Sequence, residues 1–225
     1  MFGLTFLSAT SKTTTHRVVP FRMGRLLSSV AGYLAGGEDN GGNVSGIIKV
    51  AFPADTLTTL SATLTSARNG AAGFANSGVA GYSAGGYSST YISGIDKVSF
   101  PADTKTTLSA TLPTARSFFT GFANSGVAGY VASGEDSGGQ VSGIDKVAFP
   151  ADSKTTLSAT LALTRQAPTG FANSGVAGYV AGGYNGSYIS GIDKVAFAAD
   201  TLTTLSATLT TARAYASGFA DSGTL

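Results

Sequence analysis

Tandem repetition constrains this chain more than any other feature. Four near-copies share the frame A-G-Y-x-A-[GS]-G, then S-G-I-x-K-V-x-F-x-A-D, then T-T-L-S-A-T-L, an arginine, and G-F-A-[ND]-S-G. The tyrosines of A-G-Y fall at Tyr33, Tyr82, Tyr130 and Tyr179, so the period runs 49, 48 and 49 residues. Repeats of this length are single supersecondary units that bury their apolar faces only against neighbouring copies. The 225 residues therefore read as one continuous array rather than two independent domains.

Each copy reads as four strands. In the fourth copy a short first strand covers Ala172–Ser174 and closes on an N-S-G turn signal. A second strand begins at Val176 and runs to the Gly182-Gly183 pair. A third spans Ile189 to Phe197, with Ile192, Val195 and Phe197 among its apolar positions. Its imperfect alternation suits a strand partly buried on both faces. After a turn at Ala199-Asp200-Thr201, the Thr-rich Leu202–Leu209 reads as the fourth. No segment carries a helical period, so the fold class is all-β.

Charged residues make up only 12% of the chain, against roughly 25% in ordinary soluble domains. Gly, Ser, Thr and Ala take their place, as in tightly turned, assembled or extracellular β proteins. A net charge of +2 gives no basis for nucleic-acid binding. With no cysteine, disulfides and cysteine-ligated metals are excluded. No stretch approaches the ~18 consecutive apolar residues of a membrane span. The opening MFGLTFLSATSKTTTHR places apolar residues before basic ones, the reverse of a secretory signal. Release inside a particle by lysis is the expected route out of a cell.

Four-stranded meanders at this spacing are the mark of β-propeller blades, and this unit resembles the kelch type. Gly85-Gly86 and Gly182-Gly183 match the kelch double glycine, with Tyr82 and Tyr179 as the aromatic before it. Phe52, Phe100, Phe149 and Phe197 stand at the usual Tyr place of the third strand, and Arg68, Arg116, Arg165 and Arg213 where the motif's Arg opens the next blade. The sequence departs from the pattern in three ways. Leu60, Leu108, Leu157 and Leu205 replace the fourth-strand Trp; Ser133-Gly134 replaces Gly-Gly; Ile48 stands where other copies carry Asp96, Asp145 and Asp193. The wording of the repeat is most similar to kelch-like proteins of tailed bacteriophages, cyanophages especially, and some cyanobacteria. The resemblance implies a kelch-like β-propeller of four full four-stranded blades with partial terminal strands.

The blades would cover about 26–67, 68–115, 116–164 and 165–212. Leu4–Thr10 repeats Leu57–Thr63 almost letter for letter and reads as an orphan outer strand, followed by the irregular His16–Arg25, so that 1–25 form a lead-in. Residues 213–225 read as an orphan inner strand. The array would close with five blades, close with four, or stay open and pair end to end. Because unpaired strand edges are liabilities, a partner subunit is expected in each case.

Loops between second and third strands alternate. Copies one and three carry acidic glycine loops (Glu38, Asp39; Glu135, Asp136), and copies two and four carry tyrosine loops (Tyr87, Tyr91; Tyr184, Tyr188). In kelch relatives this loop lines the usual ligand face. Exposed tyrosines present flat apolar area with a polar tip, suited to sugar rings or protein partners. The candidate ligand-binding face is therefore Tyr87, Tyr91, Tyr184 and Tyr188 with Arg68, Arg116, Arg165 and Arg213. The competing reading packs one tyrosine of each pair between blades and sets each arginine against a repeat aspartate. Two carboxylates among glycines are few for calcium, and a solvated turn is the simpler reading. His16, the sole histidine, has no catalytic constellation around it. Galactose-oxidase-like copper chemistry would need a cysteine and two histidines.

The expectation is a non-enzymatic virion component on a phage tail, fibre or capsid, without cofactor or metal. Its partners would be other virion subunits, copies of itself or cell-surface glycans, with no nucleic acid and no membrane insertion. A bacterial lectin-like or adaptor propeller and a self-assembling filament subunit are the alternatives.

Overall fold

A computed structural model describes residues 31–221, and within them the chain is all β, with no helix among the described residues. The first copy supplies β1 (Ala31–Ala35), a short ribbon of β2 (Glu38–Asp39) and β3 (Gly42–Asn43), then β4 (Gly46–Ala51) and β5 (Thr56–Thr63). The second supplies β6 (Ala72–Asn76), β7 (Ala80–Ala84), β8 (Ile95–Ser99) and β9 (Thr104–Thr107). The third supplies β10 (Thr120–Asn124), β11 (Ala128–Ala132), a ribbon of β12 (Glu135–Asp136) and β13 (Gly139–Gln140), then β14 (Ile144–Ala148) and β15 (Ser153–Thr156). The fourth supplies β16 (Thr169–Asn173), β17 (Ala177–Ala181), β18 (Ile192–Ala196) and β19 (Thr201–Thr204). Copies two to four are four-stranded antiparallel meanders; copy one is the three-stranded β1-β4-β5. The expected orphan strand at Leu4–Thr10 and the lead-in His16–Arg25 lie outside the described residues.

Neighbouring sheets pack face to face, and this explains the broken alternation of I-D-K-V. Ile95 and Lys97 of β8 face the third sheet, where Ile95 joins Phe149 in one apolar cluster and Lys97 meets Asp152. Asp96 and Val98 face back, Asp96 to Arg68 and Val98 to Ile47 and Leu64 of the first copy. Both faces of the second and third sheets are thus interior, and neither alternates cleanly between apolar and polar. One apolar cluster lies in each of the three gaps between the four sheets. The aromatic stack repeats with them: Phe122 lies 5.4 Å from Tyr130, and Tyr130 lies 5.2 Å from Phe197 of the next sheet. Burying one such ring contributes about 1.5–3 kcal/mol.

The inner strands approach closely because their glycines carry no side chain. A methyl built on Gly129 or Gly178 would overlap the ring of Phe74 or Phe122 from the preceding sheet. A methyl on Gly121 would run into the backbone of Gly73. Small residues of A-G-Y and G-F-A therefore set the spacing of the array. The principal contacts join each sheet to its neighbours in chain order, and no ring closes among the described residues.

Strand bounds differ from the sequence expectation in the last copy, where the first strand is Thr169–Asn173 rather than Ala172–Ser174 and the third is Ile192–Ala196 rather than Ile189–Phe197. The fourth strand of the last copy ends at Thr204 rather than Leu209. Beyond it the chain returns to its neighbour only at intervals, where Leu205 N donates to Ile192 O at 2.9 Å and Leu209 N to Ser190 O at 2.8 Å. Residues 213–221, expected as an inner strand, have no strand pairing. No described strand lies beside them to complete a ladder. Even so, Gly218 rests against β16, where a Cβ would meet Thr169 Oγ1 at 2.6 Å and Gly170 O at 2.9 Å.

Candidate functional site

The loops between second and third strands form a row along one end of the sheets. Three of them start at a double glycine, whose backbone only glycine adopts readily, and the third copy's starts at Ser133-Gly134. Gly85 has φ 56°, and a Cβ there would lie 2.6 Å from Phe119 Cζ and 2.7 Å from the Arg116 carbonyl oxygen. Gly86 N donates to that same carbonyl at 2.9 Å. The loop of one copy is thereby fixed to the segment that enters the next.

Side chains tie the first three loops together. Asn43 Nδ2 donates to Tyr87 O at 3.1 Å, Asn69 Nδ2 to Glu38 Oε2 at 2.8 Å, and Tyr91 Oη to Glu135 Oε1 at 3.2 Å. Thus the first acidic loop donates to the tyrosine loop after it, and that tyrosine loop donates to the next acidic loop. Within each tyrosine loop the two rings meet edge to face: Tyr87 and Tyr91 at 5.2 Å, Tyr184 and Tyr188 at 5.4 Å. Tyr87 is 37% exposed and Tyr188 61%, whereas Tyr91 and Tyr184 are half-buried. Burial and the neighbouring Glu135 raise the Tyr91 phenol above its ordinary value. In the acidic loops, Asp39 and Asp136 each accept a backbone N–H two residues on, from Gly41 and Gly138 at 2.7 Å. Among the described residues no cluster of three or more acidic or histidine side chains is arranged to hold a metal.

Three of the candidate arginines are not on this surface. Arg68, Arg116 and Arg165 are 1%, 3% and 1% exposed. They pair with Asp96, Asp145 and Asp193 of the following sheet, as the competing reading held. Arg68 Nη1 also donates to Gly85 O at 3.0 Å, and Arg165 Nη1 to Gly182 O at 3.0 Å. Burial lowers all three guanidiniums from their usual value against the opposing pull of the aspartates. Burial alone pushes Asp96 upward, yet hydrogen bonds from Thr65 and Thr107 and the charge of Arg68 leave it below its ordinary value. These arginines bolt a loop row to its framework. Arg213, by contrast, is exposed, and its Nε donates to Thr211 O at 3.1 Å.

A second set of polar residues escaped the sequence reading. Tyr33 Oη and Lys49 Nζ hold the two oxygens of Asp103 at 2.6 and 2.7 Å. Tyr82 with Lys97 hold Asp152, and Tyr130 with Lys146 hold Asp200, in the same geometry. Each lysine also lies over its tyrosine ring, at 5.5–5.6 Å. The aspartates sit at turn positions with φ between 52° and 54°, a left-handed conformation that Asp tolerates. The recurring A-D turn and the Lys of I-D-K-V were both visible, but nothing in one sequence joins the two across a repeat. Adjacent strand residues face opposite sides, so Lys97 and Asp96 never meet.

No protein-family model matches this sequence, and no curated protein matches it.

Proposed function

We propose that the chain is a kelch-like, propeller-type binding scaffold carried on a phage particle, on tail, fibre or capsid. Its loop row contacts neighbouring virion proteins or cell-surface glycans. The reading is of a non-enzymatic module. One observation carries it: tyrosine pairs with exposed rings recur on every second loop of a row whose other polar groups are tied to one another. Flat rings held edge to face on a braced loop present a preformed apolar platform with hydroxyl rims, which suits a sugar ring or a protein edge. The kelch-like wording of the repeat and its low charge support the same class.

The test joins a glycan array with mass spectrometry of purified virions. Wild-type protein binds one glycan group, and the Tyr87→Ala/Tyr188→Ala variant loses that signal at least tenfold without a change in circular dichroism. Detection in virions with no glycan signal assigns the face to a virion protein. No glycan signal together with absence from virions rejects the proposal.

A further inference from the structure

The two ends of the sheet array carry opposite halves of one joint. At the head, the edge of β1 in the three-stranded first sheet has no strand partner among the described residues and lies beside a groove of about 730 Å³. Gly73, Gly81, Tyr33, Phe100, Leu64 and Val98 are among its walls. In the two inner gaps the equivalent space is filled by Phe74 over Gly129 and by Phe122 over Gly178. Over Gly81 no inner-strand ring is present; a Cβ there would meet only Phe100, at 3.2 Å. Asp55, at the turn position of Asp103, Asp152 and Asp200, has no hydrogen-bond or ion-pair partner among the described residues.

At the tail, Ser217-Gly-Phe-Ala-Asp221 repeats the G-F-A-N of β6, β10 and β16. Gly218 sits on Gly170 in the way Gly121 sits on Gly73, so this segment already occupies the inner-strand place of a following sheet. Phe219 is 91% exposed, whereas its counterparts Phe74 and Phe122 are 7% and 4% exposed. The Tyr179 hydroxyl and the Lys194 ammonium, counterparts of the groups that clip Asp103, Asp152 and Asp200, have no acceptor among the described residues.

We propose that the tail segment Ser217–Asp221 of one copy docks on the edge of β1 of a second copy, giving a head-to-tail assembly joined by strand addition. In the register shared by the inner pairs, where Phe74 opposes Tyr82, Phe219 stands opposite Tyr33 and Ser217 opposite Ala35. The Phe219 ring then covers Gly81 between Tyr33 and Phe100, Phe171 covers Gly32, and Tyr179 with Lys194 clip Asp55. The occupant is a second copy because no principal contact joins the first and fourth sheets within one copy. Main-chain bonds on the open edge supply affinity and the aromatic seat supplies specificity. Such a heterologous contact propagates rather than pairing off. One partner is missing, since Arg213 would meet Ile48 where inner joints have an aspartate, so this joint is weaker than those within a copy. The assembly is independent of the loop-row reading and is tested without any glycan.

The absence of cysteine in the chain makes cross-linking unambiguous. Full-length Ala35→Cys and Ser217→Cys proteins are mixed under mild oxidation and run with and without reductant. The expected product is a reducible dimer formed only in the mixture. Light scattering is expected to show concentration-dependent oligomers of the unmodified chain. Phe219→Ala, a change at an exposed ring, should weaken association at least tenfold with unchanged circular dichroism, and Ile48→Asp should strengthen it by supplying the aspartate for Arg213. A chain monomeric at all concentrations overturns the proposal, as does association indifferent to Phe219→Ala. So does failure of the mixture to cross-link, including the case in which residues 1–30 of the same copy fill the groove.

Discussion

The Tyr82 hydroxyl donates to Asp152 Oδ1 across 2.8 Å, although 70 residues separate the two in sequence. Lys97 Nζ takes the other carboxylate oxygen at 2.6 Å. One turn aspartate is thus held by two strands of the preceding sheet. Burial and the adjacent carboxylate push the phenols of Tyr82 and Tyr130 well above their ordinary value. In the folded protein both stay protonated where the unfolded chain ionises, at about pH 10. Their contribution to stability is full below that pH and falls as pH climbs above it. Urea midpoints measured from pH 8 to 11 should drop steeply past pH 10, and Tyr82→Phe/Tyr130→Phe should flatten that drop. At pH 8 each Phe substitution should cost about 1.5–3 kcal/mol, the range for a hydrogen bond to a charged group.

The same clip predicts acid sensitivity. Burial alone would raise Asp103, but Lys49 and Tyr33 outweigh it and leave the carboxyl below its usual value. Its folded pKa is depressed, so its contribution is present above the unfolded value of about 3.9 and is lost as pH falls through the folded value. Wild-type protein should lose stability below pH 4, and Asp103→Asn should lose less over that interval. Thermal melts across pH 2.5–6 decide this.

Removing one side of the buried Arg116–Asp145 pair, 2.8 Å apart with both side chains under 5% exposed, leaves a charge stranded between sheets. Asp145→Ala should cost about 3–5 kcal/mol. The double variant Arg116→Met/Asp145→Leu should recover most of that loss. Urea unfolding of the two variants beside wild type gives the comparison.

Gly129→Ala drives a methyl into the Phe74 ring, which is already stacked 4.9 Å from Tyr82. The expected loss is about 1–3 kcal/mol from overpacking. Phe74→Ala in the same chain removes the ring that is struck, so the two changes should sum to less than their separate costs. A double-mutant cycle measures the difference.

Ser133 holds the position that glycine takes in the other copies, at φ 67°. Its Oγ is buried with no hydrogen-bond partner among the described residues. A left-handed non-glycine residue costs about 1–2 kcal/mol. Ser133→Gly should raise the melting temperature, and differential scanning calorimetry reads it directly.

Much of the strand order was legible because copies at one spacing must each be the same unit, and Ile95, Val98 and Tyr82 advertise it. The tyrosine loops were legible too, since Gly85-Gly86 punctuates them. The role of Arg68 was visible only as a choice between loop face and buried pair, because a single sequence does not say which sheet an arginine enters. The clip at Asp103 was hidden for a physical reason. Its tyrosine and lysine lie in the previous copy, and strand alternation turns Lys97 away from the aspartate beside it. The early end of β19 was equally obscure, because Leu205 and Leu209 keep a strand-like pattern while leaving the ladder.

The Asp152 clip also bears on how such a chain changes length. Each aspartate answers to a tyrosine and lysine one unit earlier, and every unit offers both halves of the connection. Adding or deleting a whole unit leaves all remaining connections complete, whereas losing part of one strands a carboxylate on one side and a phenol on the other. A chain built this way can change length by whole units without stranding any of its clips, provided that each unit keeps its aspartate, tyrosine and lysine.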